Sequence, residues 1–192
     1  MPDREEARKS LNIPLGRKIA LYAGRFYDWK GLEILSALAL KKSIAFYVVG
    51  GTKDELETMT DKKIPQNIVC AGPCDYQDIP TWLAAADLLV AVGTRKNPYS
   101  YYHTSPMKIF EYMAARRPIL AADTPAIKQI VTDEEASFYK PDDPEDFSSM
   151  IETVIDDSKT AEAKVQKAHE KMQKFSWNNR ARDILSFVSV EH

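Results

Sequence analysis

The chain reads as an α/β protein: a Rossmann-like, doubly wound parallel sheet of about six strands with helices at its C-terminal end. Three observations predict this. Short apolar runs alternate with helical patterns over residues 18–139, the signature of successive βα units. The runs are continuous rather than alternating, as in IAFYVV and LLVAV, which marks strands covered on both faces. Beyond Pro144 the pattern turns helical throughout, over 144–156, 159–173 and 177–188.

Taken in order, residues 3–11 form a short helix ahead of a turn at Pro14-Leu15-Gly16. Residues 18–22 (KIALY) are a buried strand closing on Ala23-Gly24. A helix with apolar residues at 32, 35, 38 and 39 follows, then a strand over 44–49 stopped by Gly50-Gly51. Residues 53–59 are a polar helix, and 67–71 a third strand ending at Gly72-Pro73. The helix over 79–86 carries Pro80 early, where proline is tolerated; Trp82 and Leu83 on it read as core. After a fourth strand, 88–92, comes a long polar and aromatic loop, 93–105. A helix then spans 106–115, with Ser105 as candidate N-cap and Pro106 at its first position. Residues 118–122 and 136–139 supply the last strands, on either side of a short helix at 126–131.

Composition bounds the function. The 192 residues suit one domain, and a net charge of −2 gives no bulk attraction for nucleic acid. Any anion site must be local. Cys70 and Cys74 lack a second pair of ligands, and His103, His169 and His192 form no ligand-spaced pair, so no metal is expected. The thiols read as reduced and the protein as cytoplasmic. The charged N-terminus shows no signal peptide, and no apolar run reaches the ~20 residues of a membrane span.

In this architecture ligands bind beyond the carboxyl ends of the strands. After the first strand, Gly24 permits a sharp turn, and Arg25 and Lys30 offer a fork of donors and a point charge to a phosphate. Two solvated surface cations would look the same, and the P-loop spacing is absent. After the fourth strand, Thr104, Ser105, Met107 and Lys108 lead into a helix whose free N–H groups suit an anion. Ile109, Phe110 and Met113 make its core stripe. Glu111 lies roughly opposite, facing the crevice or solvent, where a carboxylate could accept two hydrogen bonds from a vicinal diol. Pro73, Cys74 and Tyr76 sit on the loop after the third strand, which could edge a base or be an unoccupied connection.

The chain resembles the C-terminal domain of the GT-B type retaining glycosyltransferases of family 4, the glycosyl transferases group 1. The resemblance runs through LYAGRFYDWKGLEIL, FYVVGG, IVCAGPCDYQDIPTWLAAADLLVAV, SPMKIFEYMAARRPILAADTPAIKQIV and FSWNNRARDIL. It implies that Arg25 and Lys30 hold the donor diphosphate and stabilise the departing nucleotide. Glu111 would correspond to the second acid of the paired-glutamate motif, on the ribose hydroxyls. Residues 105–108 would contact phosphate through backbone amides, and residues 72–76 would line the base. The first acid of the motif falls at His103, eight positions before Glu111, and no acidic residue lies between Asp87 and Glu111. A histidine would there meet the donor sugar.

The resemblance further implies a single donor-binding domain over 1–192, with 1–16 as the end of an interdomain linker and 144–192 as terminal helices. An N-terminal acceptor-binding domain would be absent. The expected function is binding of a nucleotide diphosphate sugar for retaining hexosyl transfer in glycan biosynthesis, without cofactor and without nucleic acid. The isolated domain is expected to be inactive, and membrane association would come only through the absent domain. A degenerate, non-catalytic nucleotide-binding or interaction module is the alternative.

Overall fold

In the computed structural model, residues 1–40 and 43–189 are described, with side chains from 37 to 40 left aside; Leu38, Ala39 and His192 of the expectations above lie outside the described side chains and residues. Six parallel strands form one sheet: β1 (Lys18–Ala23), β2 (Ile44–Val49), β3 (Ile68–Gly72), β4 (Leu88–Ala91), β5 (Ile119–Ala122) and β6 (Ser137–Tyr139). Their order is β3-β2-β1-β4-β5-β6. The direction of winding therefore reverses between β1 and β4, where a crevice opens above the strand ends. The Rossmann-like sheet is the fold that the alternating apolar runs predict.

Eight α-helices surround it among the described residues: α1 (Arg4–Ser10), α2 (Lys53–Thr60), α3 (Ile79–Ala85), α4 (Lys108–Ala114), α5 (Pro125–Lys128), α6 (Pro144–Asp156), α7 (Ser158–Met172) and α8 (Trp177–Ser189). β4 and β5 are buried at every position, whereas edge strand β3 alternates, with Val69 exposed. The expectation of strands covered on both faces thus fails at the edge. α8 buries no residue and leaves Trp177, Leu185 and Phe187 exposed.

One expected helix takes a tighter geometry, and the start of another is corrected. Leu32–Leu40 is a 3-10 helix; residues three apart eclipse in that geometry, which brings Leu32 and Leu35 together into the core. α4 begins at Lys108, not Pro106, and Ser105 does not cap it. The carbonyls of Pro106 and Met107 accept from the N–H groups of Ile109 and Phe110, three residues on. That tight turn takes up the segment that a Ser-Pro start would have made helical. The core stripe of α4 is Ile109, Tyr112 and Met113, with Phe110 only half-buried.

The lower end of the sheet is pinned by Arg8, which is buried. Its guanidinium donates to the carbonyls of Ala85, Leu15 and Arg17 and pairs with Asp87 at 2.7 Å. Asp87 also accepts from the Ile19 N–H at 2.8 Å. One ion pair thus ties α1 to the starts of β1 and β4.

Candidate functional site

The loops that follow β1 and β2 cross in direct contact. Gly24 has φ 144° and Gly50 has φ 119°, conformations that a side chain disfavours. A Cβ on Gly50 would stand 2.5 Å from the Gly24 carbonyl oxygen, and one on Gly24 would stand 3.0 Å from the Lys108 ammonium. These two positions must be glycine for the β1 turn, the β2 turn and the lysine of α4 to share one space.

That turn is held from beneath by Tyr112, which is fully buried. β1 and β4 are in register only at Ala20↔Leu88 and Leu21↔Leu89. Just beyond, the Tyr112 hydroxyl accepts from the Ala23 N–H at 3.1 Å and donates to the Val90 carbonyl at 3.3 Å. A side chain from α4 replaces the missing rung of the ladder one residue before Gly24.

Three cations lie on and beside the turn, two of them, Lys30 and Lys108, close enough to repel one another. The Arg25 guanidinium is exposed and has no hydrogen-bond or ion-pair partner among the described residues. The Lys30 ammonium donates to the Arg25 carbonyl at 2.9 Å and lies 4.6 Å from the centre of the Tyr27 ring. The Lys108 ammonium sits 3.6 Å above the centre of the Tyr22 ring. Burial pulls the Lys108 ammonium well below the usual lysine range, the charge of Lys30 adds to that, and Glu111 partly opposes it. Burial also lowers Lys30. Two ammonium groups that burial holds below their ordinary range are poised to receive an anion, which favours their charged forms.

Two cavities flank the cluster. One, of about 380 Å³, is bordered by Gly24, Arg25, Gly50, Cys74, Tyr76 and Glu111. The other, of about 300 Å³, is bordered by Lys30, Thr104, Ser105, Met107 and Lys108, with Tyr27 and Trp29 as an aromatic wall. So ten of the twelve residues singled out from sequence border one or other cavity. Pro73 and His103 border neither; His103 is exposed, its ring tilted against Tyr102. Burial and the charges of Asp78 and Asp75 raise the Cys74 thiol, which disfavours a nucleophilic role.

Several residues of the site escape a sequence reading. The loop after β4 contains a π-helical turn, Tyr99–His103, with Asn97 accepting from the N–H groups of Tyr99 and Ser100. Its base is pinned by Asp142, which accepts from the Thr94 hydroxyl at 2.6 Å and the Arg95 N–H at 2.8 Å. Asp142 lies 48 residues from Thr94 in sequence, and no local pattern announces it. Among the described residues no group of three or more His, Cys, Asp or Glu could hold a metal ion, and no helix is long and apolar enough to cross a membrane.

Comparison with known proteins fits this arrangement. The chain is 25% identical over 202 aligned residues to D-inositol 3-phosphate glycosyltransferase 1 of Catenulispora acidiphila, covering 96% of this chain and 47% of that protein. In structure it superposes on a sucrose-phosphate synthase from Thermosynechococcus elongatus with a TM-score of 0.79 at 22% identity, over 97% of this chain and 48% of that one. It superposes equally on Anabaena HepE in complex with UDP, TM-score 0.79 at 20% identity, over 98% of this chain and 52% of that one. The chain therefore spans about half the length of the relatives it matches. Residues 3–171 match the family model described as glycosyl transferases group 1, and the chain belongs to that family.

Proposed function

We propose that this domain binds a nucleotide diphosphate sugar, the donor for retaining glycosyl transfer to an acceptor, and does so as the C-terminal half of a GT-B glycosyltransferase. The observation that carries this reading is the pair of neighbouring lysines, Lys30 and Lys108, on one cavity at the switch point, with Arg25 and Glu111 bordering the cavity beside it. The diphosphate lies at the three cations, which neutralise the charge that develops as the glycosidic bond breaks. The ribose diol meets Glu111, and the base lies toward Cys74 and Tyr76. HepE, which shares this fold, has been solved with UDP, in keeping with such a ligand. The acceptor and the rest of the catalytic machinery come from a second domain, so the isolated chain binds donor without transferring sugar.

Calorimetry with nucleoside diphosphates tests the reading. Arg25→Ala and Lys30→Ala each weaken diphosphate binding by about 1.5–3 kcal/mol, the range for hydrogen bonds to charged groups, while the free nucleoside is indifferent. Equal losses for both ligands, or robust transfer by this chain alone, would contradict it.

A further inference from the structure

Resting on that reading, we propose that Tyr22, a buried residue of β1, is a positioning residue for the diphosphate: its ring face seats the Lys108 ammonium at the edge of the cavity that Lys30 and Lys108 border. Tyr22 is fully buried, so close packing fixes the plane of its ring. The ammonium stands 3.6 Å from the ring centre, inside the ~6 Å reach of a cation–π contact. The Tyr22 hydroxyl donates a long bond, 3.4 Å, to the Arg25 carbonyl, which also accepts from Lys30 at 2.9 Å. A Cβ on Gly24 would stand 3.0 Å from the Lys108 ammonium and 3.4 Å from the Tyr22 hydroxyl. Ring, lysine and turn are therefore in mutual contact, and one side chain beneath the turn touches both Lys108 and the backbone of Arg25.

The chemistry of that partner suits a cation that must be offered to a ligand. Lys108 has no ion pair and no hydrogen bond among the described residues. A carboxylate in place of the ring would cancel the ammonium charge and compete with a phosphate for it. A ring face holds the cation through its quadrupole and leaves the unit charge available. Burial, with the neighbouring Tyr112 and Tyr139, pushes the Tyr22 hydroxyl far above the ordinary tyrosine range, so no phenolate forms to act as a counter-ion. The other charges that act on Lys108 are Lys30, which repels it, and Glu111, which attracts it. The ring thus keeps the ammonium seated against a neighbouring like charge, and a diphosphate meets it already in place, without the cost of ordering a free lysine.

The test measures UDP, GDP and ADP and their nucleosides by calorimetry, from about pH 6 up to the reference lysine range, on the wild-type chain, Tyr22→Phe and Tyr22→Met. For the base that binds, Tyr22→Met, which fills space without a ring face, weakens the diphosphate relative to the nucleoside by about 2- to 30-fold, the span of a cation–π contact. Without the ring the Lys108 charge is lost at lower pH, so the alkaline fall in diphosphate affinity moves to lower pH. Tyr22→Phe keeps the ring face; its affinity stays within about 3-fold, the share of one weak hydrogen bond, and its alkaline fall does not move. A second measurement uses the unmodified chain: the Lys108 methylene protons beside the nitrogen resonate upfield under the ring current, with and without diphosphate, and Lys108→Met identifies the signal by its loss. A folded Tyr22→Met with the diphosphate-to-nucleoside ratio and the alkaline fall unmoved, equal losses for both ligands, or Lys108 protons at ordinary lysine positions overturns the positioning role and leaves the proposed function standing. Failure of every diphosphate to bind the wild type removes both.

Discussion

Replacing Tyr112 by phenylalanine removes one oxygen from the point where β1 and β4 part. The ring stays and the packing volume is nearly kept, so the change isolates the hydroxyl. Ala23 is 5% exposed, and its N–H then faces no acceptor and no water. A buried donor left unsatisfied costs about 1–3 kcal/mol; the Val90 carbonyl, with its second lone pair, adds less. For a domain of this size each kcal/mol lowers Tm by about 2–4 °C. Urea unfolding at equilibrium, read by circular dichroism, gives the free energy directly. Tyr76→Phe, on an exposed ring, is the control and stays within about 0.5 kcal/mol. A Tyr112→Phe variant as stable as that control would refute the claim that this hydroxyl substitutes for a rung of the sheet.

Lys108 makes stability depend on pH. Its ammonium titrates below the unfolded value of about 10.4, so between the folded and unfolded values the unfolded chain holds more protons and stability rises with pH. Lys108→Met removes that alkaline rise; an unchanged pH profile in the variant would place its origin elsewhere. Because a diphosphate favours the charged lysine, binding in that same window takes up a proton, seen as a binding enthalpy that varies with the ionisation heat of the buffer. Arg8→Ala leaves Asp87 with only its exposed partner Arg4 and strips the Ala85, Leu15 and Arg17 carbonyls of a donor, which costs about 1–3 kcal/mol in urea unfolding; the double variant with Asp87→Ala loses less than the sum of the singles. Gly50→Ala forces a methyl group against the Gly24 carbonyl and costs about 1–3 kcal/mol, with a matching loss of nucleotide binding; a stable, binding-competent variant would show that the two loops can part without harm.

The sheet was legible because its strands are buried by sheet neighbours and helices, and burial on both faces writes a continuous apolar run such as IAFYVV. The same logic misplaces the edge, where β3 lets Val69 out to solvent. The candidate site was legible as a set of residues after β1 and β4, since the sheet order alone brings those loops together. What it leaves out is set by contacts distant in sequence. Tyr112 reads as an ordinary helix aromatic until β1 and β4 are seen to separate above it. Lys108 is legible for its place at the helix start, but not for its buried ammonium, which shows only once Gly24 is found making room for it. Ser105 and Pro106 carry the composition of a helix start, but backbone bonds three residues apart claim that turn first. The aromatic wall depends on Tyr99, 70 positions beyond Trp29.

Arg25, Lys30 and Lys108 are proposed to form one diphosphate site. Its most direct test is a comparison, by calorimetry at fixed ionic strength, of nucleoside, monophosphate and diphosphate binding to the unmodified chain, across the common bases. For the base that binds, affinity is expected to climb with each phosphate, the diphosphate binding at least about 10-fold more tightly than the nucleoside, as one charge-assisted contact alone would supply. A folded chain that binds no diphosphate, or that binds nucleoside and diphosphate alike, would contradict it.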